Sequence, residues 1–449
     1  MIERLHEWVA RTDVVGELAA WVAVPSVSRT GEGMPEAAEH GLGLLRASGL
    51  DARAVDTGGW PALVGTSGPG TGRSGPHVLI YGHYDVQPPG PLDQWTSPPF
   101  EPTVRDGRMY GRGTGDNKGQ HLAQLLGLRA LRELTGELPC RVTVLLDGEE
   151  EIGSPNLATA VRQLDQPDLA IWSDGPVHDN GQASVVLGVR GILTFELRVR
   201  GAARVLHSGN WGGVGPNPAW ALTHLLASMR RPDGTVTIPG FADTVTPLTD
   251  GQRAALAALP VDVRDALADI GATHMDPPAE KGFYDRLTSP TLTINSLTCD
   301  DAGEHRTVIP NVAIARCDAR LVGGQTPDQV TDAIRGHVTR YAAEHGIDVE
   351  FTPRDAMAPS TTLPETPYTD TILRAAEAGL GERPLLVPAL GGSLPIATLT
   401  DELGVPCYGV PFANVDEANH APDENLELDR FRRGIVAAAA VQLALGGQL

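Results

Sequence analysis

The stretch Leu79-Ile80-Tyr81-Gly82-His83-Tyr84-Asp85-Val86-Gln87-Pro88 joins an apolar run to a polar turn. The apolar run, at residues 77–81, predicts a buried strand. His83 and Asp85 follow two residues apart, and such side chains point to the same face of an extended segment. One imidazole nitrogen of His83 can then bind a metal while Asp85 accepts a hydrogen bond from the other nitrogen. Alone, the pattern fits an ordinary polar turn equally well.

Two further apolar strands also end in acidic turns. The predicted strand 141–146 runs into Asp147-Gly148-Glu149-Glu150-Glu151, and the predicted strand 169–172 runs into Ser173-Asp174. Apolar strand, acidic turn and helix therefore occur three times in succession. This pattern is typical of a parallel α/β sheet, whose binding sites gather at the carboxyl ends of the strands.

The hydrophobic pattern changes in the middle of the chain. Apolar and polar residues alternate in the second half of 184–200, which predicts an antiparallel strand with one exposed face. The strand and helix pattern of the first domain returns near residue 367. We therefore predict an α/β fold in which residues 1–186 and 355–449 form a doubly wound catalytic domain with a mixed sheet. Residues 187–354, termed the inserted domain below, are predicted to form an α+β sandwich.

Length and composition exclude several classes of protein. A chain of 449 residues is too long for one ordinary core, so two or three domains are expected. The formal net charge of −21 argues against a nucleic-acid or anionic-membrane partner, because phosphate binding needs a basic patch. No signal peptide or membrane span is visible. Four scattered cysteines without a C-x-x-C pattern predict reduced thiols in a cytoplasmic protein: Cys140, Cys299, Cys317 and Cys407.

Five candidate metal ligands lie at predicted strand ends or in the turns that follow them. Two imidazoles and three carboxylates suit zinc, cobalt or manganese. Five ligands exceed what one tetrahedral ion takes, but they fit two ions with one bridging carboxylate. The alternative is a set of helix caps and ion pairs without metal. The five residues are His83, Asp116, Glu151, Asp174 and His420.

Nearly the whole chain resembles the dinuclear zinc aminoacylase/carboxypeptidase family, and six motifs in the right order carry this resemblance. That family includes carnosinase-type dipeptidases, glutamate carboxypeptidases, aminoacylases and succinyl-diaminopimelate desuccinylases. Gly188-Val189-Arg190-Gly191 and the long insert before Leu292 are most similar to the carnosinase-type cytosolic dipeptidase branch. The motifs are GHYDVQP at 82–88, GRGTGDNKG at 111–119, DGEEEIGS at 147–154, SD at 173–174, LHSG at 206–209 and NH at 419–420.

The resemblance implies two divalent ions per chain, with zinc favoured and manganese or cobalt as alternatives. Asp116 is implied to bridge both ions, with a cis peptide bond after it. His83 and Asp174 would complete one metal site, and Glu151 and His420 the other.

Three catalytic roles are also implied by the resemblance. Asp85 would support His83, and Glu150 would be the general base that takes a proton from the water between the metals. Gly153-Ser154 favours Glu150 over Glu149 for this role. His207 would stabilise the oxyanion in the partner subunit's site, which makes the homodimer part of the catalyst. The alternative for His207 is a surface histidine.

The substrate residues implied by the resemblance lie late in the chain. Arg320 would hold the substrate's terminal carboxylate as a bidentate pair, and Ser393 would add a hydrogen bond. An ordinary salt bridge is the alternative for Arg320. Asn311 stands where many dipeptidases of the family carry a basic residue, so it bears on the side chains that the substrate site accepts.

The predicted function is that of a two-metal hydrolase which cleaves the peptide bond of a dipeptide or small peptide with a free carboxylate. An N-acyl amino acid deacylase, or a carbamoyl or succinyl amide hydrolase, is the alternative on the same scaffold. A non-catalytic binding protein of this fold would be expected to have lost the base or a ligand. The proposed base and all five candidate ligands are present in this chain, which favours an enzyme.

Overall fold

The computed structural model describes residues 1–68, 75–261, 263–276, 283–299 and 306–449. The predicted loop at 65–75 and the predicted insert at 231–287 lie partly outside these residues. His305, predicted to be solvated or structural, lies wholly outside them. Among the described residues, no helix combines the length and the apolar character needed to cross a lipid bilayer.

The chain opens with two short helices, where the hydrophobic pattern predicts one helix over residues 2–22. Helix α1 (Ile2–Arg11) ends at Thr12, and α2 (Val14–Val22) begins directly afterwards. The Asp13 side chain caps α2 by accepting the backbone N–H of Gly16 at 2.9 Å. The predicted single helix is therefore wrong, because an aspartate in this position favours a new helix start.

The remaining elements follow in three groups along the chain. Up to residue 186 they are α3 (Met34–Ala47), β1 (Asp51–Val55), β2 (Ala62–Thr66), β3 (His77–His83), β4 (Thr103–Arg105), β5 (Arg108–Tyr110), α4 (Lys118–Thr135), β6 (Arg141–Asp147), α5 (Leu157–Val161), β7 (Leu169–Trp172) and β8 (Ser184–Val186). From residue 188 to 357 they are β9 (Gly188–Val189), β10 (Gly191–Arg200), β11 (Leu206–His207), α6 (Ser208–Trp211), α7 (Pro218–Met229), α8 (Asp250–Ala257), α9 (Val263–Asp269), α10 (Phe283–Leu287), β12 (Thr291–Cys299), β13 (Val308–Ile309), β14 (Val312–Leu321), α11 (Pro327–His345) and β15 (Asp348–Met357). The last group is β16 (Ser360–Thr361), α12 (Thr369–Leu380), β17 (Leu385–Val387), α13 (Ile396–Leu403), β18 (Cys407–Gly409), β19 (Asn425–Glu427) and α14 (Leu428–Leu445).

A mixed central sheet positions the predicted ligands. Within the described residues it has eight strands, in the order β1-β2-β6-β3-β7-β18-β8-β17. Strand β3 pairs in parallel with both β6 and β7, and β18 pairs in parallel with β7. The carboxyl ends of these strands therefore meet at one edge, where His83 lies opposite Asp147 and the chain leaves β7 towards Asp174.

Helices cover both faces of the central sheet. Side chains of α4, α12 and α14 form the core on one face, and those of α5 and α13 form it on the other. Gly379 lets helices α12 and α14 approach closely. A Cβ at this position would lie only 2.2 Å from the Ala437 Cα. The sheet is thus buried on both sides, and the predicted doubly wound α/β class is confirmed.

The inserted domain contains a second, antiparallel sheet in the order β12-β14-β10-β15. Its core lies on one face only, where Leu193, Phe195, Leu197 and Val199 of β10 pack with side chains of α7 and α11. The chain enters and leaves this domain side by side, since β9 pairs with β16. Strand β15 continues to Met357, beyond the predicted boundary at 354; the division into domains stays a prediction.

Candidate metal centre

The edge formed by the ends of β3, β6 and β7 brings all five predicted ligands together. Asp116 lies closest to both histidines: its Oδ1 is 3.1 Å from His83 Nε2, and its Oδ2 is 3.0 Å from His420 Nε2. His83 Nε2 also lies 3.5 Å from Asp174 Oδ2, and His420 Nε2 lies 3.1 Å from Glu151 Oε2. The two oxygens of one carboxylate therefore face two separate groups, each with one imidazole and one further carboxylate. This is the grouping that the resemblance implies; the role of each residue as a ligand stays a prediction.

The donor atoms of this cluster fit a divalent cation. His83 is fully buried, and its Nε2 has no well-aligned hydrogen-bond partner in the part of the chain that is described. Ligand atoms of His83, Asp116 and Glu151 all lie within 4.8 Å of one another. Buried carboxylates that face each other without a cation repel, so positive charge between them is stabilising. Nitrogen and oxygen donors of this kind suit zinc, manganese or cobalt.

The pKa values of the cluster also indicate that positive charge is stabilised there. Burial would lower the pKa of His83, but contacts with Asp116, Asp174 and Asp85 raise it well above its ordinary value. Contacts with Asp116 and Glu151 raise the pKa of His420 to about 11. Burial and the nearby Asp116 charge raise the pKa of Glu151 to about 7. In the metal-free protein these side chains therefore bind protons, which neutralise the carboxylate charge that metal cations would otherwise neutralise.

Buried hydrogen bonds hold the turn that presents Asp116. The Glu424 carboxylate, which is fully buried, accepts the backbone N–H groups of Gly113, Gly115 and Asp116 at 3.0, 3.0 and 3.1 Å. It also pairs with buried Arg112 at 2.6 Å. The peptide bond between Asp116 and Asn117 is cis, as the resemblance implies.

Asn117 ties this turn to the two strands beside it. Its Oδ1 accepts the backbone N–H of His83 at 3.3 Å, and its Nδ2 donates to the Ser173 carbonyl at 2.6 Å. The next residue, Lys118, is buried and donates to the carbonyl of Val24, two residues after α2. The turn is therefore fastened to β3, to β7 and to the N-terminal helices.

The segment after β18 brings His420 to the cluster through an unusual backbone. His420 has a φ of 57°, and Ala418 and Asp423 have φ values of 54° and 60°. Three residues other than glycine in the left-handed region within six positions mark a tightly constrained loop. Its imidazole is half-exposed, unlike that of His83, so this side of the cluster is open to solvent.

Asp85 joins His83 to the acidic turn after β6. Its Oδ1 lies 3.3 Å from His83 Nδ1 and accepts the backbone N–H of Glu150 at 3.2 Å. Its Oδ2 accepts the backbone N–H of Glu151 at 3.0 Å. Asp85 therefore orients the imidazole, whose Nδ1 also lies 3.1 Å from the Asp85 backbone carbonyl oxygen, and fixes the turn that carries the proposed base and the predicted ligand Glu151.

The three consecutive glutamates have different surroundings. Glu149 accepts hydrogen bonds from the Trp60 N–H at 3.1 Å and from Asn156 Nδ2 at 2.8 Å. The Glu150 carboxylate is half-buried and has no hydrogen bond from any described residue. Burial and the surrounding carboxylates raise the pKa of Glu150 well above its ordinary value, although the charge of His83 lowers it. A carboxylate with a raised pKa and no partner is suited to exchange a proton, which supports Glu150 rather than Glu149 as the base.

Arg320 and Ser393 lie together, but His207 and Asn311 lie elsewhere. Arg320 Nη1 donates to the Ser393 hydroxyl at 3.0 Å, across the gap between the inserted sheet and the central domain. His207 is exposed and accepts only the Gly209 N–H among the described residues. Asn311 directly precedes β14, whereas Arg320 lies near its other end, about 30 Å away along an extended strand. Within one chain, the predicted substrate residues therefore do not form a single site.

The sequence patterns missed residues that hold the predicted ligands in place through hydrogen bonds. Gln87 holds Glu151 in place: its backbone N–H donates to Oε1 at 3.1 Å and its Nε2 donates to Oε2 at 2.9 Å. Gln87 lies in the motif that contains His83, so proximity to the motif was an available signal. Glu424 is four residues after His420, and no spacing rule connects it with the distant turn that it holds.

The comparisons with known proteins agree with this geometry. The family model described as "Peptidase family M20/M25/M40" matches residues 79–443. The Cys-Gly metallodipeptidase of Schizosaccharomyces pombe is 29% identical over 369 residues, 80% of this chain and 77% of its own. The mouse Beta-Ala-His dipeptidase is 27% identical over 100% of this chain and 96% of its own.

A solved structure extends the agreement to the whole fold. An M20-family metallo-carboxypeptidase from Sulfolobus solfataricus superposes with a TM-score of 0.86 at 27% identity, covering 97% of this chain and 99% of its own. The family match covers most of the chain, from the strand before His83 to the last helix. The family resemblance seen in the sequence is thereby confirmed, and the chain belongs to peptidase family M20/M25/M40.

Proposed function

We propose that this protein is a two-metal dipeptidase that hydrolyses the peptide bond of a dipeptide or small peptide with a free terminal carboxylate. One observation carries the proposal: the two oxygens of Asp116 face separate histidine groups, and the unpartnered carboxylate of Glu150 lies beside them. The names of the relatives from fission yeast and mouse, both dipeptidases, support this substrate class.

Two divalent ions, with zinc favoured, would be held by His83, Asp116 and Asp174 on one side and by Asp116, Glu151 and His420 on the other. When bound, the ions polarise the scissile carbonyl and lower the pKa of the attacking water. Glu150 removes a proton from that water and returns it to the leaving amine, because its carboxylate is free of other partners. Asp85 keeps the His83 ring oriented during this exchange.

The substrate carboxylate is proposed to bind between the two domains. Arg320 supplies the positive charge and Ser393 a hydroxyl donor, and these two side chains already contact each other at 3.0 Å. A carboxylate that enters between them would take bidentate hydrogen bonds from the guanidinium.

We also propose a homodimer formed through the inserted domain. His207 and Asn311 lie close together at the far end of this domain, since β11 pairs with β13 and the Gly201 N–H donates to the Asn311 carbonyl at 2.8 Å. We infer that from there they serve the site of another subunit. Exposed apolar side chains on the inserted domain support a second copy as the partner; they are Trp211, Val214, Trp220, Ile294 and Leu297.

A reducing, cytoplasmic location is part of the proposal. The four cysteines are free in the structure, and Cys140, Cys317 and Cys407 are buried. Buried thiols without disulfides are typical of proteins in reducing compartments.

Metal content and turnover test the proposed function together. Mass spectrometry of the intact protein counts the ions per chain, and a panel of free and N-acylated dipeptides is assayed before and after chelation. We expect two ions per chain and chelator-sensitive cleavage of the free dipeptides. Cleavage of the N-acylated substrates alone would indicate a deacylase instead, and a chain without metal would refute the proposal.

A further inference from the structure

Arg190 lies where the chain passes from the central domain into the inserted domain. It directly follows β9 and precedes β10. Its Nε donates to the Gly391 carbonyl at 3.1 Å, so the side chain reaches back to the loop that carries Ser393. Arg190 therefore contacts the same loop as Arg320, from the position between β9 and β10.

Strand β10 begins one residue after Arg190 and turns one of its faces towards the central domain. Odd-numbered residues of β10 form the core of the inserted domain, so even-numbered residues point the other way. Ile192 is paired with both Arg320 on β14 and Met357 on β15. The Met357 methyl lies 3.7 Å from where a Cβ on Gly153 would be, two residues after Glu151. This face of the inserted sheet thus lies over the turn of the candidate metal centre.

The strand register also brings Arg190 near Arg320. Ile192, two residues after Arg190, is the direct partner of Arg320 in the ladder between β10 and β14. Burial first, and then the charge of Arg320, lower the pKa of Arg190 to about 10. The two guanidinium groups are therefore close enough to repel.

The charges around this pair do not balance. Asp318 Oδ1 lies 3.4 Å from Arg320 Nε and is the carboxylate that faces the pair. No carboxylate of the described residues lies within 4 Å of the Arg190 guanidinium, which has one hydrogen bond, to Gly391. Two guanidinium groups and one carboxylate leave one positive charge in excess, in a chain whose net charge is −21. Such a surplus is stabilised by a bound anion.

We propose that Arg190 is the second guanidinium of the carboxylate site and determines, together with Arg320 and Ser393, the preference for substrates with a free terminal carboxylate. The inference rests on the proposed function and adds a residue to it. Arg190 keeps its Nε on the Gly391 carbonyl, which fixes the loop, and its terminal nitrogens donate to one oxygen of the carboxylate. The Arg320 guanidinium donates to both oxygens, and the Ser393 hydroxyl donates to the second oxygen.

A pair of substrates separates this role from simple bracing of the loop. Alanylalanine carries the carboxylate and alanylalaninamide lacks it. In Arg190→Gln we expect kcat/KM for alanylalanine to fall roughly 10- to 100-fold, mainly through KM, because one charge-assisted hydrogen bond is lost. The value for the amide should change little, and Arg190→Lys should recover part of the preference. An equal fall for both substrates would mean that Arg190 only braces the loop, and would overturn the inference.

Arg316→Gln is the matched control for the loss of an arginine. Arg316 lies on the same strand and face as Arg320 but is exposed and contacts Glu196, so its substitution should leave the preference unchanged. Calorimetry with the ketomethylene isostere of alanylalanine, and with its amide, tests binding without turnover. If the wild-type protein cleaves no dipeptide yet binds the acid isostere through Arg190, the proposed function fails and the inference stands. If Arg190→Gln binds both isosteres as the wild type does, the inference fails whatever the activity.

Discussion

The Glu424 carboxylate accepts the backbone N–H of Asp116 at 3.1 Å, so a buried acid from the end of the chain fixes the residue that faces both histidines. We expect Glu424→Ala to unfold at a lower temperature and to bind less metal. Removing this carboxylate leaves Arg112 buried without its partner, which typically costs about 3–5 kcal/mol. Thermal denaturation and metal analysis measure the two effects. Glu402→Ala removes an exposed partner of Arg162 and should change neither.

The position of Asp116 between the two histidine groups predicts the metal count of a variant. Asp116→Asn keeps the volume of the side chain but removes the charge that would be shared by two ions. We expect at most one ion per chain by mass spectrometry, instead of two. Asp93→Asn, at an exposed position, serves as the control and should retain both ions. A variant that still holds two ions would show that Asp116 does not bridge them.

Glu150 and Glu149 form a matched pair for testing the general base. We expect Glu150→Gln to keep its metals and its melting temperature while kcat falls roughly 10²- to 10⁴-fold, the usual contribution of a general base. Glu149→Gln should keep kcat, because Glu149 is engaged with Trp60 and Asn156. The reverse result, with kcat lost only in Glu149→Gln, would move the base to the neighbouring residue.

The raised pKa of His420 predicts that metal affinity depends on pH. In the metal-free protein, contacts with Asp116 and Glu151 raise this pKa to about 11, so His420 carries a proton at neutral pH. A metal can bind Nε2 only after that proton leaves. Affinity should therefore weaken as the pH falls and strengthen as it rises towards 11, by up to about tenfold per pH unit for each proton released. Calorimetric titrations between pH 6.5 and 8.5 measure the slope, and a flat profile would contradict the assignment.

The proposed action of His207 across the dimer can be tested with mixed subunits. His207→Ala and Glu150→Ala should each be nearly inactive as homodimers. In the mixed dimer, the subunit with intact Glu150 receives His207 from its partner, so one of the two sites should work. If His207 acted within its own chain, neither site of the mixed dimer would be complete. Activity of the purified mixed dimer, relative to wild type, distinguishes the two cases.

The sequence predicted the long helices best. Helices α11 (Pro327–His345) and α14 (Leu428–Leu445) have the predicted bounds. For α11 the signals are local: Thr326 caps the first turn and Gly346 ends the helix in the left-handed region. Strand β15 was predicted to end at Thr352 but continues to Met357. Pro353 interrupts the strand signal, yet β15 is an edge strand with a bulge, where proline is tolerated.

The candidate site was predictable where its residues follow strands and lie in motifs, and not where they act from a distance. His83, Glu151 and Asp174 come directly after apolar runs, so sheet geometry places them together. Glu424 reaches the Asp116 turn only because the loop after β18 folds back through left-handed positions, and no local pattern shows this contact. Likewise, Asn311 and Arg320 belong to one predicted site, but the length of β14 separates them within a chain.

The pairing of β9 with β16 has a consequence for how such a protein can change. Val189 and Ser360 are direct partners, so the points where the chain leaves and re-enters the central domain are neighbours. The inserted sheet and the helices that cover it can be exchanged without altering the strand order of the central sheet, whereas Leu256 and Leu259 of the same segment pack into the core of the central domain. The inserted domain is in this sense a replaceable module. Since that module supplies Arg320, His207 and Asn311, swapping it is a route to a new substrate preference that leaves the cluster around Asp116 intact.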